Sequence, residues 1–189
     1  MLIALTFLQH TLIAVIAFIH VHFIGPKYTS YNIHISSNFN EYEAQLIQDA
    51  ANEWEEKTGH IITYRIFYHK NLPKDQPHSL FLMRVNSASP IVRGMDTELS
   101  KNDPRITLGF YDPNYPIPII FLVPDRLEDS EYFRAVASHE LGHSIGLEHD
   151  PEEGNLMFEE IGKGSTHIER GDLIAFCRIY YCDVNKLPR

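Results

Sequence analysis

Residues 139–150 read HELGHSIGLEHD, and no other stretch of the chain constrains its fold as tightly. His139 and His143 are four residues apart, so on a helix they project from nearly the same side, about 40° apart around the axis. Their imidazole nitrogens can then meet on one metal ion. Glu140, turned by about 100° from His139, flanks that ion without having to ligate it. A continued helix would carry His149 through about 600° from His143, away from the first two. The chain must therefore leave the helix and double back before His149. Gly146 marks the point of departure, because glycine takes a left-handed backbone without a Cβ penalty.

Three neutral imidazoles with one open position make a catalytic zinc site, whereas structural sites are closed by four protein ligands. An ion held in this way acidifies a water and polarises a substrate carbonyl. Glu140 is placed to accept the proton and later pass it to a leaving amine. The chain carries 11 histidines, so a helical pair alone would say little. Five fixed positions in register with a helix and its stop say far more.

Hydrophobic periodicity organises the remainder. YNIHIS (31–36) and IITYRIFY (61–68) read as strands, and between them 41–59 repeats apolar residues on one helical face. Asn40 can cap that helix and Gly59 end it. Residues 69–78 read as a loop and 79–85 as a further strand, while 87–104 hold too many breakers for a long element. RITLGFY (105–111) and IPIIFLV (117–123) predict two strands joined by a proline-rich turn. A helix from Asp129 or Ser130 to Gly146 follows, then an irregular stretch 147–166 and a closing helix over 167–182. This order predicts an α+β domain whose mixed twisted sheet is backed by helices.

Residues 1–27 stand apart as an apolar leader, and residues 28–189 form the domain. The first 24 residues contain no Lys, Arg, Asp or Glu and are long enough to cross about 30 Å of hydrocarbon as a helix. They read as a signal-anchor or a signal peptide, with a buried N-terminal helix as the competing structure. The expected location is extracytoplasmic, either anchored in a membrane through residues 2–24 or secreted after cleavage, with the domain a monomer. A net charge of −9 offers no basic stripe for phosphates, which excludes nucleic acid as a partner. Cys177 and Cys182 can bridge if the closing helix ends between them and cannot if it runs through both. Glu152, Glu153, Glu159 and Glu160 form either a solvated face or a surface favouring basic substrates.

HELGHSIGLEH matches the HExxHxxGxxH of the metzincin zinc endopeptidases. Met157 in GNLMF stands where that family has its Met-turn, an apolar floor under the metal. The strand YNIHIS, the helix containing AANEW, the strand IITYRIFY and a final helix with ERGDLIAFCRIYY resemble a matrixin-type catalytic domain over approximately residues 30–182. The resemblance implies a metzincin-like fold and a zinc-dependent endopeptidase with His139, His143 and His149 as ligands and Glu140 as base. It implies Gly146 and Met157 as structural support and Zn2+ as cofactor, while the calcium sites of matrixins are not recognisable. The implied partner is a peptide or protein substrate, lying antiparallel to an edge strand from 105–111 or 117–123. Its side-chain preference would be set by a pocket behind the metal, walled by residues 150–166. Matrixins often carry Ser where this chain has Asp150, and Glu159 replaces a tyrosine that contacts the metal in some metzincins. No cysteine precedes the domain, so a cysteine-based latency segment is not expected. A zinc-retaining binding module without turnover and an exopeptidase or other amide hydrolase are the alternatives.

Overall fold

The computed structural model describes residues 28–97, 107–127, 129–160 and 163–188, except 70–77, together with the backbone of 98–100. The apolar leader, most of the expected loop at 69–78 and the first two residues of the expected strand at 105–111 lie outside the described residues. Among the described residues, no helix is long and apolar enough to cross a membrane.

Strand β1 (Ser30–Ser36) leads into helix α1 (Glu41–Lys57), whose start is closed by the side chains of Asn40 and Glu43, each accepting the other's backbone N–H. The helix ends at Thr58, followed by Gly59 at φ +62°. Strands β2 (Thr63–His69) and β3 (Ser79–Arg84) come next. Helix α2 (Pro90–Ser100) then overturns the expectation that the breakers at 87–104 prevent a long element. Pro90 sits at its first position, where the missing N–H is not needed. Ser89 accepts from Val92 and Arg93 just ahead of it. Asp96 fastens the helix from outside through an ion pair of 2.6 Å with Arg126, which also donates to the Thr107 carbonyl. A buried Val92 and this tether outweigh Gly94, which costs a helix only about 1 kcal/mol.

Strands β4 (Gly109–Asp112) and β5 (Ile119–Leu122) are both shorter than their sequence patterns. The Thr107 amide donates to Asp96 and not to a neighbouring strand, so β4 starts late. Helix α3 (Ser130–Ser144) is capped by Asp129, and helix α4 (Arg170–Tyr180) closes the domain. Because α4 stops before Cys182, with Tyr181 in a left-handed turn, the two cysteines come within 4.5 Å at Cα and form a disulfide.

The five strands form one sheet in the order β2-β1-β3-β5-β4, parallel except for β4, which runs antiparallel to β5 at the border. Central strands covered on both faces explain the near-continuous apolar runs SLFLM and IIFLV. Ile33, Ile35, Leu80, Leu82, Ile120 and Leu122 join Ile47, Ala50, Ala51 and Trp54 of α1 in the main core. Phe81, Ile119 and Phe121 form a second cluster on the opposite face. Helix α3 lies on the α1 side of the sheet, where the Trp54 indole donates to the Ser138 carbonyl at 2.8 Å and so locks the two helices together. Helix α3 also lies beside β4, with Val136 and Glu140 close against Gly109.

Candidate active site

Helix α3 carries His139, Glu140 and His143 on a buried to half-buried segment. Ile145 terminates it, and Gly146 follows at φ +97° with its amide donating to the His143 carbonyl. The chain turns there and brings the exposed His149 back, so that one ring nitrogen from each of the three histidines lies within 4.8 Å of the others.

The hydrogen bonds fix which nitrogens point inward. His139 Nδ1 lies 2.8 Å from the Leu156 carbonyl and His143 Nδ1 lies 2.8 Å from the Leu147 carbonyl. A carbonyl only accepts, so both Nδ1 atoms carry hydrogen and both Nε2 atoms present lone pairs. His143 Nε2 and His149 Nε2 are 3.2 Å apart. Two nitrogens bound to one zinc at tetrahedral angles would stand about 3.3 Å apart. Burial pushes His139 down to about 3 and His143 down to about 4, with neighbouring imidazoles adding to the effect. Both rings are neutral at pH 7, the state a metal ligand requires. The donor set fits zinc.

Glu140 is buried, and burial raises its carboxyl to about 8 against a lowering contribution from the Tyr111 amide. Its Oε2 has no hydrogen-bond partner among the described residues. It meets β4 where that strand has Gly109. A Cβ there would come within 2.7 Å of Val136 and 3.1 Å of the Glu140 side chain. A glycine is what lets the border strand lie against the carboxyl.

Met157 is buried under α3, and a Cβ on Gly142 would meet its sulfur at 2.4 Å. The Met157 carbonyl accepts from the Asp150 amide, while the Asp150 carboxylate accepts from Glu152 and closes the turn after His149. Asp172 of α4 supports the same turn. Its buried carboxylate accepts from the amides of Leu156 and Met157 at 3.0 Å and from Glu169 at 2.8 Å. Burial raises the Asp172 carboxyl, and these amides pull it down.

The structure thus brings together His139, His143 and His149, while Glu140 faces Gly109 of β4, Gly146 turns the chain after α3 and Met157 packs against Gly142. Sequence reasoning missed Gly142, Gly109, Asp172 and Trp54. Gly142 left a trace, since a glycine inside a helix is unfavourable and signals a close approach. Asp172 left none, because an acid in the first turn of a helix is ordinary there.

Residues 33–181 match the family model described as Matrixin. Among solved structures, high choriolytic enzyme 1, a hatching enzyme zinc-protease from the medaka fish Oryzias latipes, is similar at 12% identity and a TM-score of 0.49. The match covers 82% of this chain and 90% of that one. Archaemetzincin from Methanopyrus kandleri is similar at 14% identity and a TM-score of 0.48, covering 84% of this chain and 100% of that one. No curated protein matches the chain. The family match spans most of the chain and includes the three histidines, Glu140 and Met157: the chain belongs to the matrixin family and is a zinc metalloprotease.

Proposed function

We propose that the protein is an endopeptidase in which His139, His143 and His149 hold the zinc and Glu140 moves the proton. The convergence of three imidazoles, two with their outer nitrogens tied to carbonyls, is the observation that carries this reading. When bound, zinc supplies Lewis acidity toward a substrate carbonyl and an attacking water. Glu140 accepts a proton at its unpartnered Oε2 and delivers it to the leaving amine. Gly146 turns the chain toward His149, and Met157 supports α3 from below.

Border strand β4 supports the endopeptidase reading. An extended peptide can add to β4 by main-chain hydrogen bonds, and Gly109 keeps that peptide beside Glu140. A strand-like track passes chain in both directions from the cleaved bond, as internal cleavage requires. The Cys177–Cys182 disulfide supports an oxidising, extracytoplasmic setting for residues 28–189, with residues 1–27 as the exporting leader.

Peptides blocked at both ends test this. The zinc-loaded full chain is expected to cleave them and a chelator to stop it. Glu140→Ala is expected to retain one zinc per chain and lose about 10³-fold or more in kcat. Cleavage confined to peptides with a free terminus would replace the endopeptidase reading with the exopeptidase one. Zinc retention without cleavage of any peptide would favour the binding module.

A further inference from the structure

Beside His139 lies a cavity of about 10 Å³, room for roughly one water molecule. Tyr132, Ala135 and His139 of α3 form one side of it, and Ser165 and Thr166 are part of the irregular chain after His149 that forms the remainder. Helix periodicity holds the α3 side. The opposite wall is irregular chain and needs fastening from elsewhere.

Beyond the exposed bond from Thr166 Oγ1 to Glu131 and the Ser165 amide's bond to the Asn155 carbonyl, two largely buried side chains that do not line the cavity provide it. Arg134 precedes His139 by five residues on α3, and its guanidinium donates to the Thr166 carbonyl at 2.8 Å. The same guanidinium pairs with the Glu53 carboxylate of α1. The other Glu53 oxygen accepts from the Ile168 amide at 3.2 Å and lies 3.2 Å from His167 Nδ1. Both partners are largely buried, at 14% and 13% side-chain exposure, so water does little to weaken the pair. One ion pair therefore ties α1, α3 and the wall together.

We propose that Glu53 and Arg134 are specificity-positioning residues: they hold the Thr166–Ile168 backbone against α3, so that the cavity admits only the smallest substrate side chains, those of glycine, alanine or serine. This rests on the peptidase reading given above. With Arg134 removed, the Thr166 carbonyl and the Glu53 carboxylate both lose the guanidinium, leaving the exposed Thr166–Glu131 bond as a weaker tie to α3, so that the wall can move outward. A larger cavity then accepts larger side chains.

The test uses the zinc-loaded full chain and a library of end-blocked peptides. The parent is expected to demand glycine, alanine or serine at one position next to the cleaved bond. Arg134→Ala is expected to raise the leucine-to-alanine ratio of kcat/KM at that position by about tenfold or more, chiefly through KM. Glu53→Gln keeps an acceptor for the Ile168 amide and loses the charge, so it is expected to shift the ratio less. Hydrogen exchange supplies a readout independent of activity. The Ile168 amide is expected to exchange at least about tenfold faster in Arg134→Ala, while amides within α3 keep their parental rates. If Arg134→Ala does not fold, Glu53→Gln carries both measurements. A parent that cleaves nothing defeats the peptidase reading, and the exchange result then stands or falls alone. A parent that cleaves, with variants matching it in preference and exchange, overturns the proposal itself.

Discussion

His139 and His143 reach the site on a helix, whereas His149 reaches it on a loop, and the two regions are held in place by different means. On α3 the four-residue spacing aligns the rings, and the Trp54 bond to Ser138 fixes the helix to α1. On the loop, spacing fixes nothing. The turn after His149 depends on Asp150, on the Met157 carbonyl and, through Leu156 and Met157, on Asp172 sixteen residues further along the chain. The same loop also returns the Leu156 carbonyl to His139 Nδ1, so the loop orients a ligand of the helix. A helix sets which side a ligand faces, and the loop sets how closely the ligands meet.

Removing a ligand from the helix has the largest expected effect. His143→Ala is expected to lose zinc at equimolar metal and all measurable cleavage, as read by metal content after desalting. Asp172→Asn acts on the loop and on the start of α4, and leaves α3 untouched. It weakens acceptance from the buried amides of Leu156 and Met157 and the half-buried amide of Glu169, and is expected to lower zinc affinity by about 10–100-fold while leaving cleavage near parental at saturating zinc. Equal losses in the two variants would mean that the loop is as decisive as the helix, and the contrast drawn above would fail.

Smaller still is the effect of burying Glu140 in the metal-free protein. Its carboxyl titrates near 4.5 when exposed and near 8 in the fold. Between those values the folded chain holds a proton that the unfolded chain has released, so stability falls as pH rises and levels off above about 8. Glu140→Gln removes this dependence. Melting of chelated samples is expected to show no advantage for Glu140→Gln below pH 4.5 and a gain of about 5 °C or more at pH 8. The depressed His139 and His143 act in both proteins and cancel in the difference.

The helix half of the site was legible in the sequence because periodicity is local. His139, Glu140 and His143 needed only 3.6 residues per turn, and Gly146 needed only its freedom at positive φ. Placing His149 took the further step of reading Gly146 as the point where the chain doubles back, and Met157 relied on family resemblance, since no local rule returns a loop to a helix. Asp172 was invisible for the same reason, its partners lying fifteen and sixteen residues away. In the sheet, strand patterns gave the layers, but not which of 105–111 and 117–123 lies at the border. The antiparallel register of Gly109 on Leu122 assigns it to β4. Helix α2 was missed because Pro90 and Gly94 were weighed as breakers, whereas the Asp96–Arg126 pair supplies the support that propensity does not.

X-ray absorption at the zinc edge of the loaded full chain tests the central claim most directly. Three imidazole nitrogens at about 2.0–2.1 Å and one exchangeable light ligand are expected, falling to two imidazoles in His149→Ala. A parental spectrum with fewer than three imidazoles, or one unchanged by His149→Ala, would contradict the account.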